Sequence, residues 1–238
     1  MDDASYTTIT RQAGLLREMQ TIANNIANVS TDGFRSEGLV FSEYVNEAGP
    51  GAVSVSMAQA NVRNVDLEQG PLVPTGGTFD FAIEGDGFFL LATSQGDMLT
   101  RAGSFTPSSE GELVASDGAR LLDGGGAPVF VPPDARSISL SADGTLSADG
   151  IPLSQIGLFE PIDPNDLSRR GNARFLAESG VNPVENSVIL QGFIEQSNVN
   201  AVEEIARMIE VQHAYELGQK FLDQENERIR NVIQTLAK

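Results

Sequence analysis

The sequence predicts an α+β protein in which a mainly β central domain lies between an N-terminal and a C-terminal α-helix. Apolar residues recur at intervals of three and four near both chain ends, which is the helical period. Between these regions, short segments rich in β-formers alternate with Asp-Gly pairs, a pattern typical of hairpins. The predicted division is an N-terminal helix (1–33), an extended arm (34–77), a central β domain (78–197) and a C-terminal helix (198–238).

The N-terminal helix is predicted over residues 5–29, about 37 Å at 1.5 Å per residue. Its apolar positions are spaced four, three, four and three apart, the pattern of a coiled-coil seam: Leu15, Met19, Ile22, Ile26 and Val29. Asp32-Gly33 supplies a stop signal.

The C-terminal helix is predicted over residues 200–236, about 55 Å. Asn200 and Glu203 resemble a capping box at its start. One seam, interrupted by Gly218 and Glu225, comprises Met208, Val211, Tyr215, Leu222, Ile229, Val232 and Leu236. Because this helix is longer than the first, part of its apolar face has no cover within the chain. We therefore expect the terminal helices to form a coiled-coil layer between copies, with an intramolecular pair as the alternative.

The central region is predicted to contain short strands. The segments are Thr78–Ile83, Phe88–Thr93, Gly111–Ala115, Pro128–Val131 and Ile138–Leu140. Asp-Gly pairs at residues 86, 117, 123, 143 and 149 supply the positive φ angles of tight turns. The stretch Ser137–Gly150 repeats Ser-Ala-Asp-Gly and predicts one or two adjacent hairpins.

The charge and composition exclude several classes of partner. The net charge is −18, which disfavours nucleic acid, and no apolar run reaches the length of a membrane helix, so we expect no membrane insertion. Residues 1–38 and 198–238 each carry a net charge of −2, so most of the negative charge lies between them. The acidic start Met1-Asp2-Asp3 is not followed by an apolar run and predicts no Sec-type signal peptide.

The sequence contains few residue patterns that could form an enzyme active site, and we predict no catalytic, cofactor or metal site. There is no cysteine, and His213 is the one histidine, which excludes thiolate chemistry and histidine metal clusters. Gly124-Gly125-Gly126 lacks the lysine of a phosphate loop, and the Asp-Gly turns lack the ligand spacing of an EF-hand. A paired-carboxylate hydrolase is not excluded by residue counts, but aromatic residues for sugar stacking are scarce.

Several motifs resemble the flagellar rod and hook proteins. Residues 23–35 read A-N-N-I-A-N-V-S-T-D-G-F-R, close to the N-terminal motif of that family. Further matching segments occur in the expected order: Ala82–Phe89, Thr100–Phe105, Gln191-Gly192, Glu195–Asn200, Glu203-Glu204 and Met208–Glu210. The resemblance therefore covers nearly the whole chain. Tyr6–Gln12 and Phe41–Val45 are most similar to the proximal-rod type, and the distal-rod and hook types are the alternatives.

The resemblance implies a structural subunit that stacks helically into the hollow basal-body rod. Its implied partners are copies of itself, other flagellar rod proteins and the flagellar type III export apparatus. It implies a location in the basal body after export without a cleaved signal peptide. A rival interpretation from another class is a secreted β-domain adhesin or carbohydrate-binding protein.

The expected assembly interface combines the helical seams with the motif residues. Asn24, Asn25 and Asn28 are amides within an apolar seam, and we expect them to set the register with neighbouring subunits or to end the helix near Gly33. The full expected set is Leu15, Met19, Ile22, Asn24, Asn25, Ile26, Asn28, Gly33, Phe34, Asn198, Asn200, Ile205, Met208, Ile209, Tyr215 and Leu222.

Overall fold

The computed structural model describes residues 3–46, 55–184 and 187–236. The described chain has an N-terminal helix, a mainly β central region and a C-terminal helix, which confirms the predicted α+β class. It divides into two compact units that alternate along the sequence: a helical unit (1–27, 37–66 and 200–238) and a β unit (28–36 and 67–199).

The helical unit contains two helices and one strand pair. Its elements are α1 (Asp3–Ala27), β1 (Glu37–Asn46), β2 (Val55–Val65) and α2 (Ala201–Leu236). Strands β1 and β2 pair antiparallel along their lengths, with a bulge between Val40 and Phe41, and they lie against α1. The region predicted as an extended arm thus contains a regular ladder. Pairing satisfies backbone groups that an isolated extended segment leaves to water.

The two helices pack against each other in antiparallel order. Gln12 contacts Tyr215, and Glu18 contacts Arg207, so residue numbers rise along α1 as they fall along α2. Their shared core comprises Leu15, Ile22 and Val211, with Met19, Ile26, Met208, Ala214 and Tyr215 half-buried around it. Over this stretch, the two predicted seams meet within one chain.

The β unit is built from short strands. In chain order they are β3 (Leu72–Pro74), β4 (Phe81–Glu84), β5 (Phe88–Thr93), β6 (Gly96–Thr100), β7 (Thr106–Pro107), β8 (Leu113–Val114), β9 (Arg120–Leu121), β10 (Ile138–Leu140), β11 (Thr145–Ala148), β12 (Ile151–Gln155), β13 (Leu158–Pro161), β14 (Leu167–Arg170), β15 (Arg174–Ala177), β16 (Val181–Pro183), β17 (Val188–Gln191) and β18 (Phe193–Glu195). A short 3₁₀ turn, Pro164–Asp166, precedes β14.

The strands form one large sheet and three smaller ones. The large sheet has the order β14-β15-β6-β5-β9-β8-β7, and β13 joins β5 to β16. Strands β10, β11 and β12 form a separate antiparallel sheet, which confirms the predicted adjacent hairpins. Strand β3 pairs with β18, and β4 pairs with β17. The first strands of the unit are therefore hydrogen-bonded to its last strands.

The predicted strands agree to different degrees with the strands in the structure. Phe88–Thr93 and Ile138–Leu140 form as predicted. The stretch predicted as Thr78–Ile83 forms Phe81–Glu84, and only Leu113–Val114 of Gly111–Ala115 is a strand. Pro128–Val131 makes isolated bridges through Pro128 and Phe130, and proline lacks the N–H of a continuous ladder.

Four of the five Asp-Gly pairs have the predicted left-handed glycine. Gly118 and Gly144, for example, have φ angles of 86° and 85°. At Asp123-Gly124 the left-handed residue is instead Gly126, with φ of 82°. The Asp123 carboxylate accepts hydrogen bonds from the backbone N–H groups of Gly125 and Ala127, so this turn closes two residues later than predicted.

A large apolar core lies within the β unit. Its members come from strands throughout the unit: Phe81, Ile83, Phe89, Leu91, Phe105, Leu113, Ala119, Leu121, Val129, Val131, Leu146, Ile156, Leu158 and Ile189. Phe105 contacts Phe89 edge-on, with ring centroids 5.6 Å apart, and Phe81 at 6.0 Å. Because Ile189 lies far along the chain from Phe81, the core is complete only when both ends of the unit are present.

One ion pair joins strand β15 to a turn that is distant from it in the strand order. Arg174 in β15 donates to both carboxylate oxygens of Asp117, at 2.6 and 2.5 Å, and Asp117 lies in the turn between β8 and β9. The two side chains therefore bridge parts of the large sheet that are not adjacent in the strand order. The hydrogen bond from Arg174 is the main cause that lowers the pKa of Asp117 from 3.8 to about 2.

Replacing this carboxylate is expected to remove a pH-dependent part of the stability. The folded pKa lies below the unfolded value, so the stabilisation is complete above about pH 3.8 and is lost as the pH falls through about 2. Asp117→Asn should lower the free energy of unfolding at pH 7 by roughly 1 kcal/mol, because solvent screens this partly exposed pair. Urea unfolding between pH 7 and pH 2 measures it, and a difference from wild type that does not shrink at low pH contradicts the assignment.

Candidate assembly interface

A buried carboxylate at the end of β18 connects three distant segments of the β unit. Glu195 is fully buried, and its Oε1 accepts a hydrogen bond from Arg35 at 2.5 Å and from the backbone N–H of Gly70 at 2.8 Å. Its Oε2 accepts from Arg101 at 3.1 Å. We call Arg35, Arg101 and Glu195 the ionic node. One carboxylate thus compensates two guanidinium groups that are 0% and 3% exposed.

Gly33 brings the first of these segments into place. Its φ is +68°, and a Cβ atom there would lie 2.1 Å from the backbone nitrogen of Ala102. Its N–H donates to the backbone oxygen of Glu195 at 2.7 Å. Glycine alone meets both requirements, because any side chain would collide with the backbone that carries Arg101.

Aromatic rings cover the arginines around the node. The guanidinium of Arg169 lies over the rings of Phe34 and Phe175, 4.1 and 4.8 Å from their centroids, and donates to the backbone oxygen of Arg35. Arg101 lies 5.2 Å from the ring centroid of Phe88. Burial lowers the pKa of Arg101, and the neighbouring Glu195 charge opposes that effect.

Asn198, three residues after Glu195, forms hydrogen bonds to two other backbone segments. Its Oδ1 accepts from the backbone N–H of Ser36 at 2.7 Å, and its Nδ2 donates to the backbone oxygen of Glu68 at 3.0 Å. Phe34 is 2% exposed and packs with Ala173 and Val199. Gly33, Phe34 and Asn198 were expected at an assembly interface, and the structure places all three in contacts within the chain.

In the helical unit, Asn25 holds the start of β1. Its Oδ1 accepts from the backbone N–H of Glu37 at 3.0 Å, and its Nδ2 donates to the backbone oxygen of the same residue at 2.9 Å. Its Nδ2 also lies 3.1 Å from Oε1 of Glu204. Asn25 is 1% exposed. Its amide exchanges a pair of hydrogen bonds with the backbone of Glu37, as the backbone of a neighbouring strand would.

The interruption at Gly218 in the predicted seam has a structural cause. A Cβ atom on Gly218 would lie 2.0 Å from Nε2 of Gln12. That nitrogen donates to the backbone oxygen of Tyr215 at 2.8 Å. The absent side chain therefore leaves a notch in α2 that Gln12 fills. Together with the ion pair between Glu18 and Arg207, at 2.9 Å, it sets the register of the helix pair.

Helix α2 presents two apolar surfaces that α1 does not cover. The first, the outer stripe, comprises Val202, Ile205 and Ile209, whose side chains are 76%, 50% and 49% exposed. The second, the terminal face, continues the seam toward the C-terminus and comprises Ile229, Val232, Ile233 and Leu236, all exposed.

The remaining expected interface residues are three asparagines near the helix ends and Leu222 within α2. Asn24 is exposed, and Asn28 is half-buried and accepts a hydrogen bond from Thr31 at 3.2 Å. Asn200 caps α2, since its Oδ1 accepts from the backbone N–H of Val202 at 3.1 Å. Leu222 is half-buried. The described structure thus separates the expected set into internal contacts and exposed positions.

The described residues hold no group of three or more His, Asp or Glu side chains placed to bind a metal ion. His213 lies exposed on α2. Neither α1 nor α2, over its described length, combines the length and the apolar content that crossing a membrane requires.

Three family profiles match separate parts of the chain. The profile described as "Flagella basal body rod protein" matches residues 6–35. That of the "Flagellar hook protein FlgE/F/G D1 domain" matches residues 82–148. That of the "Flagellar basal body rod FlgEFG protein C-terminal" matches residues 190–235.

Relatives named as flagellar rod proteins align with the chain over nearly its whole length. The flagellar basal-body rod protein FlgF of Caulobacter vibrioides is 38% identical over 245 aligned residues, which cover 100% of this chain and 99% of the relative. The chain belongs to the flagellar basal-body rod protein family. FlgF of Mesorhizobium japonicum is 37% identical over 100% of this chain and 99% of its own length. The rod protein FlgG of Bacillus subtilis is 29% identical, covering 96% of this chain and 97% of the relative.

Each of the three family segments contributes one charged residue to the ionic node. Arg35 ends the first matched segment, Arg101 lies in the second, and Glu195 lies in the third. All three residues lie within the family-like motifs, but nothing in the sequence pairs them with one another. The sequence offers one signal for the node, the presence of two arginines and one glutamate within motifs of an acidic chain.

The node predicts an asymmetric response to substitution. Glu195→Gln leaves two buried guanidinium groups without a counter-charge and should lower the free energy of unfolding by about 3–5 kcal/mol. Arg35→Met leaves the pair of Arg101 and Glu195 intact and should cost only about 2 kcal/mol, the scale of one charged hydrogen bond. Urea unfolding of the full chain, followed by far-ultraviolet circular dichroism, measures both.

The matched control for the node is Glu84→Gln, which removes the same charge from an exposed position of the β unit. It should change the free energy of unfolding by less than about 0.5 kcal/mol. Equal effects of Glu195→Gln and Glu84→Gln would show that the buried carboxylate does not hold the unit together.

Asn25 allows a second test within the helical unit. Asn25→Asp keeps the shape of the side chain but removes the donor to Glu37 and places a carboxylate beside a backbone oxygen and Glu204. We expect a loss of about 2–3 kcal/mol of local stability, because a buried acceptor and a charge are left unpaired. Amide hydrogen exchange of residues 37–40 should accelerate accordingly. Asn24→Asp, at the adjacent exposed position, should leave those amides protected, and equal exchange in both variants would contradict the role of Asn25.

Proposed function

We propose that this protein is a structural subunit of the bacterial flagellar basal-body rod, of the proximal type. Its membership of the rod-protein family supports this, as does the fact that relatives named FlgF match it at 38% and 37% identity, against 29% for a relative named FlgG. The distal-rod type is the alternative within the family. A structural role also accounts for a chain in which the sequence offers no catalytic constellation.

The observation that carries the proposal is the pair of uncovered apolar surfaces on α2. At 100° per residue, Ile209 lies about 160° around the helix from Val211, which faces α1. The outer stripe is therefore on the side of α2 away from the intrachain seam. The terminal face arises because α2 has 36 residues and α1 has 25. Contiguous exposed apolar side chains on a folded chain are typical of protein–protein contact sites.

In this proposal the two surfaces pack against terminal helices of neighbouring subunits and build a coiled-coil layer. Subunits related by a repeated, non-closing contact form a helical tube, and a rod of this kind encloses an export channel. Interdigitated apolar side chains resist shear between subunits better than screened surface charges, which suits a shaft that transmits torque.

The proposed partners are copies of this chain, other rod proteins and the flagellar type III export apparatus. The proposed location is the rod within the periplasmic space, reached by export without cleavage of a signal peptide. Residues with contacts inside the chain, namely buried Asn25, Gly33 and Phe34 and half-buried Asn198, are assigned to shaping each subunit. Exposed residues, such as Ile205 and Ile209, are assigned to contacts between subunits.

Substitution on the outer stripe should separate folding from assembly. Ile209→Asp places a carboxylate in the proposed packed layer, where an unpaired charge costs several kcal/mol, enough to shift an assembly equilibrium by orders of magnitude. Because Ile209 is 49% exposed in the chain, the melting of the monomer should be near that of wild type. Cells with this variant should be non-motile and lack the later hook and filament parts.

The matched control is Gln224→Asp, which adds the same charge to the same helix at an exposed polar position. Such cells should swim, as should cells with Glu227→Gln, which removes a charge from exposed α2 surface. Swimming and basal-body composition are measured together for the three variants. Complete rods and normal swimming with Ile209→Asp would remove the outer stripe from the proposed interface.

A further inference from the structure

The β unit contains a basic cleft in an acidic part of the chain. Residues 67–199 carry eighteen acidic residues, six arginines and no lysine. Three of the six arginines, Arg120, Arg170 and Arg174, line a single cleft of about 560 Å³, in which Asp117 is the one acidic lining residue. Such clustering runs against the charge of the surrounding segment and calls for a physical explanation.

Two of the three arginines remain available to a ligand. Arg174 is neutralised by Asp117 through two hydrogen bonds of 2.6 and 2.5 Å. Arg120 reaches Glu112 only at 3.8 Å, and its side chain is 50% exposed. The side chain of Arg170 is exposed and forms no hydrogen bond or ion pair with the described part of the chain. The cleft therefore presents two guanidinium groups to solvent.

The wall that carries Arg170 is held in a fixed conformation. Asn172 and Ala173, in the turn between β14 and β15, have φ angles of 61° and 53°, in the left-handed region that non-glycine residues rarely adopt. The side chain of Asn172 donates to Asp117 at 3.1 Å, and Thr100 donates to the backbone oxygen of Ala173 at 3.1 Å. Backbone in this region persists only where its surroundings hold it, so the cleft is preorganised.

We propose that this cleft binds a carboxylate-bearing segment of the β unit of a second copy of this chain. The proposal rests on the proposed function, which places copies side by side in the rod. Charge complementarity identifies the occupant. Arg101 is buried and Arg169 is stacked on two rings, so neither offers its charge freely at the surface of the β unit. Outside the cleft, carboxylates therefore dominate the surface of the β unit. Exposed guanidinium groups bind carboxylates with directional, charge-assisted hydrogen bonds. A cleft on one copy and an acidic segment on the next form a heterologous contact that repeats along a helix.

Photo-crosslinking from the cleft tests the proposal in assembled rods. A photoreactive amino acid replaces Gln95, an exposed residue that lines the cleft, in cells whose sole copy of the chain carries it. Basal bodies are isolated after irradiation, and crosslinked peptides are identified by mass spectrometry. We expect a dimer of this chain whose partner peptide lies in residues 67–199 and carries at least two acidic side chains.

Charge variants then show whether the arginines cause the contact. Arg120→Glu combined with Arg170→Glu should reduce the dimer yield roughly tenfold, since two attractive charges become repulsive. Arg120→Lys with Arg170→Lys should retain most of the yield. Arg136→Glu reverses an exposed arginine elsewhere in the β unit and should leave it unchanged. Thermal melting of each purified full chain verifies that these exposed substitutions leave the fold intact.

The outcomes distinguish this proposal from the function on which it rests. Rods that contain the chain but yield no dimer, a crosslink to a different protein, or a dimer that persists in the double glutamate variant would each overturn the basic cleft as a contact between copies. Absence of the chain from basal bodies would overturn the proposed function and this inference together.

Discussion

The burial of Glu195 is the interaction on which the β unit depends. A carboxylate and two guanidinium groups taken out of water each incur a desolvation cost of several kcal/mol, which only close mutual contact offsets. Arg35, Arg101 and Glu195 are separated by 66 and 94 residues along the chain, and the contact of Arg35 with Glu195 spans 160. The backbone around each must therefore be correctly folded before any of them is compensated. The close approach of Gly33 to Ala102 and the pairing of β3 with β18 bring these backbone segments together.

The ionic node also changes how the family motifs are understood. A motif shared across a self-assembling family suggests a contact between subunits, and several of its residues were assigned that role from the sequence. In the β unit, Phe34 is buried under the guanidinium of Arg169, and half-buried Asn198 bonds to two backbone segments. These motif residues therefore maintain the shape of the β unit, whereas Ile209, within another motif, is exposed on α2.

In the helical unit, uncharged amide side chains fix the relative positions of segments, as the ionic node does in the β unit. Asn25 satisfies both backbone groups of Glu37, and Gln12 fills the notch at Gly218, so polar side chains set the positions that apolar packing leaves open. Apolar contacts alone tolerate sliding of one helix along another, whereas a displaced amide leaves a buried donor unpaired. These polar contacts also fix the positions of the exposed apolar residues of α2 within the helical unit.

The sequence by itself determined the elements whose signal is local. The helices run over Asp3–Ala27 and Ala201–Leu236, within two residues of the predicted bounds, because helical periodicity and capping depend on neighbours three or four positions away. Phe88–Thr93 and the Ser137–Gly150 hairpins followed from alternation and Asp-Gly turns in the same way. Only the tertiary structure decided that β1 pairs with β2, that Asn25 bonds to Glu37, and that Arg120 and Arg170 share a cleft. It also decided that the carboxylate of Glu195 forms ion pairs with both Arg35 and Arg101. Such partners are chosen by long-range packing and by the cost of burying charge, and no pattern of adjacent residues encodes them.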